Sequence, residues 1–258
     1  MNSKSNKTTK RHVEILRHIQ DRGTADISDL AKTLSVSDET IRRDARVLEK
    51  EGQLLKLHGA LSLPYLAGEL PFEKRLRENA EAKRAIARRA CLFVEDGDSL
   101  MIDTGTTTSI FAQELRSKRG LTIITNSSDV ARTLATVNGN KVFMAGGELK
   151  GDNGAAFGHT AVEFFSWFKA KHAFISIGAM DAKRGAFDSE LDEANIAYAA
   201  LKQADHRVII TDSEKFYRPA LVQVCDLNEF DRLITNEMPP DGLAQALARA
   251  GVTITLAS

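Results

Sequence analysis

Two sets of residues in this chain are spaced for chemistry. The first is Met101-Ile102-Asp103-Thr104-Gly105-Thr106-Thr107-Thr108. Apolar residues lead up to Asp103, Gly105 permits a tight turn and a close backbone approach, and the threonines open the helical stretch from Ser109 to Leu115. A helix start carries N–H groups with no intrahelical acceptor, which makes it an anion site, most often for phosphate. The plain alternative is a strand–turn–helix junction capped by threonine. The second set is Ser37, Glu39, Thr40, Arg42, Arg43 and Arg46, followed by Lys56 and His58. Arginines at the start of one helix face can meet guanine edges or backbone phosphates. The alternative here is a solvated basic face held by ion pairs to Asp44 and Glu49.

Further polar and glycine residues follow apolar runs: Thr125-Asn126, Ala145-Gly146-Gly147-Glu148, Gly178-Ala179-Met180-Asp181 and Asp212-Ser213-Glu214-Lys215. If those runs are strands of one sheet, the polar groups collect at its carboxyl edge, where open α/β sheets bind ligands. The backbone of 105–107 would hold a phosphate and Lys215 would add a point charge. Asp103, Asn126, Asp181 and Asp188 would pair with the hydroxyls of a sugar or polyol. Taken singly, Lys215 reads equally as a surface lysine, and Asp188 as a helix cap before Leu191.

The elements that must position these groups can be read from periodicity. Val13, Ile15, Leu16 and Ile19 predict a first helix closed by Gly23. Ile27, Leu30, Ala31 and Leu34 predict a second, with Asp26 as its cap. Ile41, Ala45 and Leu48 predict a third over Asp38–Lys50, capped by Ser37 and ended by Gly52. Two short helices joined by the Ser35-Val36-Ser37 turn form a helix-turn-helix, whose second helix enters the major groove. Residues 53–63 predict a hairpin turning at His58-Gly59, a wing beside that helix. Residues 1–10 are polar and aperiodic and predict a disordered basic arm, so the DNA-binding domain spans 11–63. The Pro- and Gly-containing stretch 64–71 is a linker, and 72–258 form the second domain. There 72–93 predicts one long helix. Strands are expected at 99–102, 121–125, 141–144, 172–177, 207–211, 231–235 and 252–256. Helices are expected near 107–117, 128–136, 160–168, 190–204 and 241–249. Alternating βα units imply a mostly parallel sheet covered on both faces.

The charge balance fits this division. The 258 residues carry 35 basic and 35 acidic side chains, yet residues 1–60 hold 12 basic against 9 acidic. A neutral body with a locally basic front end suits a small DNA module on a larger partner domain. Cys91 and Cys225 lie far apart among apolar residues and read as buried free thiols in a reducing cytosol. The six histidines are scattered, so neither a metal nor a cofactor is expected. No apolar run reaches the ~18 residues of a membrane span, and no secretory segment follows the N-terminus; a cytoplasmic location is expected.

Thr40-Ile41-Arg42-Arg43-Asp44, Leu57-His58-Gly59 and Pro64 resemble the DNA-binding signature of the DeoR family of bacterial regulators. Asp103-x-Gly105-Thr106-Thr107, Thr125-Asn126, Gly146-Gly147, Gly158, Asp181 and Asp212-Ser213-x-Lys215-Phe216 resemble its sensor domain. The resemblance runs from about residue 10 to the C-terminus. It implies a winged helix-turn-helix followed by a sensor domain similar to ribose-5-phosphate isomerase. It also implies a phosphorylated sugar or polyol as effector. Three positions depart from the pattern: Ala45 replaces a larger aliphatic residue, Ala60 a second glycine, and Glu214 a serine beside the lysine.

The chain is therefore expected to be a non-enzymatic repressor of a carbohydrate or polyol operon. It would bind double-stranded operator DNA as a homo-oligomer, dimer or tetramer, and be released by its effector. Two rivals stand beside this. One is a sugar-phosphate isomerase using Asp103, Asp181, Glu190 or Glu193 as base. The other is an activator with the same effector class.

Overall fold

The computed structural model describes residues 3–22, 24–50, 53–57, 60–62, 71–150 and 153–257. The chain divides into two compact units, Met1–Glu69 and Leu70–Ser258.

The first unit contains α1 (Ser3–Arg22), β1 (Thr24–Asp26), α2 (Ile27–Thr33), α3 (Asp38–Lys50), β2 (Leu55–Leu57) and β3 (Ala60–Ser62). α1 starts at Ser3, so most of the expected disordered arm is helical; nothing in Ser3–Lys10 is a glycine or proline that would stop it. Ile15, Ile19, Leu30, Ile41, Leu48, Leu54 and Leu61 form its core, whereas Val13, expected on the inner face, is 60% exposed. Asp26 stands at the start of α2 but makes no side-chain capping bond. The expected hairpin is part of a three-stranded antiparallel sheet, because β1 pairs with β3 on the side away from β2. Ala45 is buried in the core and Ala60 pairs with Leu57 and Asp26. His58, Gly59, Gly23, Gly52 and the 64–70 part of the linker lie outside the described residues.

The second unit opens with two helices, α4 (Phe72–Arg77) and α5 (Ala80–Cys91), in place of the single helix expected over 72–93. Asn79 separates them at φ 53°, a left-handed conformation that Asn adopts more readily than other side-chain-bearing residues. Neither a glycine nor a proline announces this break.

There follow β4 (Ser99–Ile102), α6 (Thr106–Glu114), β5 (Thr122–Thr125), α7 (Ser128–Leu134), β6 (Lys141–Met144) and a short hairpin, β7 (Leu149–Lys150) with β8 (Ala155–Ala156). Next come α8 (His159–Ser166), β9 (Ala170–Ile175), β10 (Ala179–Asp181), β11 (Gly185–Asp188), α9 (Leu191–Lys202) and β12 (Ala204–Ile210). The chain ends with β13 (Val222–Cys225), β14 (Arg232–Thr235), α10 (Asp241–Arg249) and β15 (Thr253–Leu256). Seven strands form one parallel sheet in the order β15-β14-β12-β9-β4-β5-β6. β10, β11 and β13 form a separate antiparallel sheet that the alternation of apolar runs did not reveal.

Side chains alternate between the two faces of the parallel sheet. Leu100, Ile102, Ile123, Phe174, Val208, Ile210 and Ile234 meet α5, α6 and α7 through Ile86, Phe111 and Val130. Met101, Ile124, Ala173, Ile175, Ile209 and Leu233 meet α8, α9 and α10 through Phe165, Ala197 and Leu243. Both cysteines are buried and unpaired. Among the described residues no helix is long and apolar enough to cross a membrane.

Candidate functional site

In the first unit the Ser37 hydroxyl accepts the Thr40 N–H at 3.3 Å and lies 2.9 Å from the Thr40 hydroxyl. This bond satisfies one of the free amides at the start of α3. From that cap onward Glu39, Arg42, Arg43 and Arg46 are exposed on one side of α3, and Thr40 is half-buried. Glu39 lies 4.0 Å from Arg42. Lys56, on β2, lines the same cleft as Arg42, a space of about 330 Å³ bounded also by Asp26, Ile27, Ser28 and Asp38. The sheet thus brings Lys56 back to the front of α3, which sequence distance conceals. Asp44 is not part of the basic face. It is 2% exposed and holds the Arg11 guanidinium, with His12 at 3.6 Å, so it ties α3 to α1.

In the second unit the chain proceeds from β4 to β5 and β6 in one direction and from β9 to β12, β14 and β15 in the other. The strand order therefore reverses between β4 and β9, the switch point at which α/β sheets open a crevice for ligands. Asp103 stands there, 4% exposed, and its two carboxylate oxygens accept the Ser176 N–H at 3.2 and 3.1 Å. Burial, with like charge from Glu193, pushes the Asp103 carboxyl well above the usual range, although the Ser176 amide and Thr108 hydroxyl oppose the shift. Gly105 precedes α6, and a Cβ on it would meet the Ser176 Oγ at 2.0 Å and its Cβ at 3.1 Å, so a larger residue would require Ser176 to shift. Ser109 is the first residue of α6 whose N–H finds an acceptor a turn earlier, Gly105 O at 2.9 Å. The amides of Thr106, Thr107 and Thr108 thus form the open helix start.

The residues expected to line one site fall on two faces. Asp103 continues the side of Met101, and Asn126 that of Ile124, so both face α9. Asn126 is fully buried; its amide donates to Ala156 O at 3.1 Å, while its Oδ1 has no partner among the described residues. Glu193, on the first turn of α9, completes this acceptor-rich side, with Asn153 Nδ2 at 3.5 Å. Asp212 continues the side of Val208 and Ile210 and faces α5. Its carboxylate accepts from Asn79 at 3.3 Å and from the Glu214 N–H at 3.1 Å. Lys215 is half-buried in the short turn that follows. Glu214 is exposed beside it. Three strand spacings, roughly 14 Å, separate the ends of β5 and β12, so Asn126 and Lys215 do not grip the same end of a small molecule.

Two expected ligands of hydroxyls are occupied by the protein itself. Asp181 ends β10 and accepts the Lys183 and Arg184 N–H groups at 2.8 and 3.1 Å, which closes the β10–β11 turn. Asp188 is buried and accepts the Gly178 N–H at 2.6 Å, so it does not cap α9. Gly146 and Gly147 form an exposed turn after β6, the edge strand.

One functional candidate had no signal in the sequence. Lys83, on the first turn of α5, is 3% exposed, in a segment whose other lysines and arginines are surface residues. Its ammonium donates to Arg75 O at 2.5 Å and lies within electrostatic range of Asp212 and Lys215. Burial lowers its pKa, and Asp212 partly offsets that.

A helix-turn-helix with exposed arginines, joined to an α/β unit with an open helix start at its switch point, defines a DNA-binding regulator with its own sensor. Family comparison agrees: the DeoR-like helix-turn-helix domain matches residues 11–64, and the DeoR C terminal sensor domain matches residues 78–237. The chain belongs to the DeoR family of transcriptional regulators. It is 29% identical over 250 residues to the glycerol-3-phosphate regulon repressor of Escherichia coli (strain K12), covering 97% of this chain and 99% of that one. It is 31% identical over 246 residues to the HTH-type transcriptional repressor CsqR of the same organism, covering 95% and 94%. Among solved structures, ribose 5-phosphate isomerase A from Methanocaldococcus jannaschii matches with a TM-score of 0.40 at 15% identity, over 55% of this chain and 56% of that one.

Proposed function

We propose that this regulator represses a carbohydrate or polyol catabolic operon and leaves its operator when a phosphorylated sugar or polyol occupies the switch point. The observation that carries this reading is the pairing of unlike groups there. The open amides of Thr106–Thr108 favour an anion. One strand spacing along the edge, roughly 5 Å, the buried Asn126 Oδ1 has no donor among the described residues, and an unsatisfied buried acceptor costs ~1–3 kcal/mol. A molecule with a phosphate at one end and hydroxyls at the other meets both needs. Gly146-Gly147-Glu148-Leu149, Phe187-Asp188 and Met238-Pro239-Pro240 resemble the glycerol-3-phosphate repressor, to which the chain is 29% identical, and this makes glycerol 3-phosphate the first compound to try.

The effector acts to the extent that it binds the released conformation more tightly. Moving a population from 1:99 to 99:1 takes ~5.5 kcal/mol of differential affinity, which sites on several subunits of a homo-oligomer can share. The test is thermal denaturation with glycerol 3-phosphate and a panel of pentose, hexose and triose phosphates, followed by gel-shift release from a duplex selected in vitro. A raised midpoint by mass action, together with release by the same compound, is the expected result. Steady turnover of any of these phosphates would replace this reading with the isomerase one.

A further inference from the structure

We propose that Lys83 is a second cation of the effector site and also the latch that holds α4, so that a bound phosphate withdraws it from α4. The proposal rests on the effector reading above and deepens it. α4 has six residues, too few to be stable alone. Its last carbonyls have no intrahelical donors and must find others. The Lys83 ammonium supplies one, to Arg75 O at 2.5 Å. The Asn79 amide, at the left-handed break that follows, anchors the same end to Asp212 at 3.3 Å. Lys83 therefore ties the end of α4 to α5, and Asn79 ties it to the end of β12, where Lys215 stands.

A buried ammonium bonded to a neutral carbonyl is incompletely compensated, whereas an ammonium bonded to a phosphate is charge-assisted and stronger. α6, whose open amides face the same edge, packs against both α4 and α5. A phosphate drawn to those amides comes within reach of the flexible Lys83 stem. When the ammonium turns to it, Arg75 O loses the Lys83 bond and the end of the short helix is held less firmly. α4 starts two residues after Leu70, where the second unit begins. The covalent path to the DNA-binding unit thus leaves the sensor through an element whose end this lysine helps to hold.

The experiment is amide hydrogen exchange across residues 72–79 of the full-length protein, alone and with glycerol 3-phosphate or whichever panel phosphate binds. Inorganic phosphate serves as the anion-only probe. Binding to the unmodified protein should speed exchange in 72–79. Lys83→Met should weaken binding at least about tenfold, equivalent to 1.4 kcal/mol, and should show fast exchange at 72–79 without any ligand. If Lys83→Met proves too unstable to study, exchange in the unmodified protein with and without ligand still decides the matter, because unchanged or slower exchange at 72–79 overturns the latch. Normal affinity in Lys83→Met also overturns it and leaves the effector reading standing. If no phosphorylated compound binds the unmodified protein, the effector reading falls and this proposal falls with it.

Discussion

At the scale of single residues, the carboxylates that the sequence places at one sheet edge have different occupations. Asp181 and Asp188 hold the protein's own amides. Asp103 bridges the two strands that flank the switch point. Its type and position after an apolar run were legible, but its partner, Ser176, is 73 residues away and was not. Asp103 also has a thermodynamic signature. Its carboxyl is raised by burial first, with Glu193 adding like charge. A group whose folded pKa lies above its unfolded value of ~3.9 binds more protons folded than unfolded across the interval between them. Its contribution is complete below the unfolded pKa and is lost as pH rises through the folded one. Asp98, Glu229 and Asp231 are lowered, and their contributions run the opposite way, being lost in acid. The difference between the parent and Asp103→Asn isolates the Asp103 share. We expect Asp103→Asn to lose less stability than the parent as pH rises from acid to neutral, in urea midpoints measured across that range. Parallel profiles would mean that Asp103 ionises as it does in the unfolded chain.

At the scale of elements, periodicity located α2, α3 and α10 well because each has one apolar face and a polar start or end, and it located β4 and β5 because each is a short apolar run, buried on both faces, that ends at polar residues. It failed where geometry depends on a distant contact. The break at Asn79 is stabilised by Asp212, and the β10–β11–β13 sheet packs on α9 through β11 and β13. In the sequence Lys83 is one more charge on a segment rich in them; its burial depends on how α5 meets α6 and β12, which no local pattern carries. Asp44 is the same case in the first unit. It sits among three exposed arginines, yet it points inward and joins α3 to α1 through Arg11 and His12. Asp44→Asn removes the charge and leaves the largely buried Arg11 without its counter-ion. The expected cost is ~1–3 kcal/mol, as for hydrogen bonds to charged groups. Glu39→Ala, on the exposed face, should stay within about 0.5 kcal/mol. Urea unfolding of both variants checks this, and equal midpoints would deny Asp44 its role as a strut.

At the scale of the molecule, residues 1–69 carry 12 basic and 10 acidic side chains and residues 70–258 carry 23 and 25, so the charge that favours DNA is concentrated in the first unit. An anionic effector therefore binds a slightly acidic body and does not compete with the operator for one basic surface. We propose that the basic face of α3 divides by function. Arg42 shares a cleft with Lys56 near the start of the helix, the part that in helix-turn-helix proteins approaches base edges, and is assigned to base reading. Arg43 and Arg46 are exposed beside it and are assigned to backbone phosphates. Arg43→Ala should weaken binding to all duplexes alike. It should also flatten the dependence of log K on log salt by about one phosphate contact, ~0.9 in slope per contact. Arg42→Ala should instead cost ~1–3 kcal/mol at one base position and relax the preference there, with little change in slope. Fluorescence titrations at several salt concentrations, against the selected duplex and its single-base variants, separate the two effects. If both variants changed only the salt slope, base reading would have to come from elsewhere on α3 or from the wing. Equal loss of specificity in both would make the two arginines a joint reader of one base pair. The division of labour proposed here requires the slopes and the specificities to part company, one variant for each.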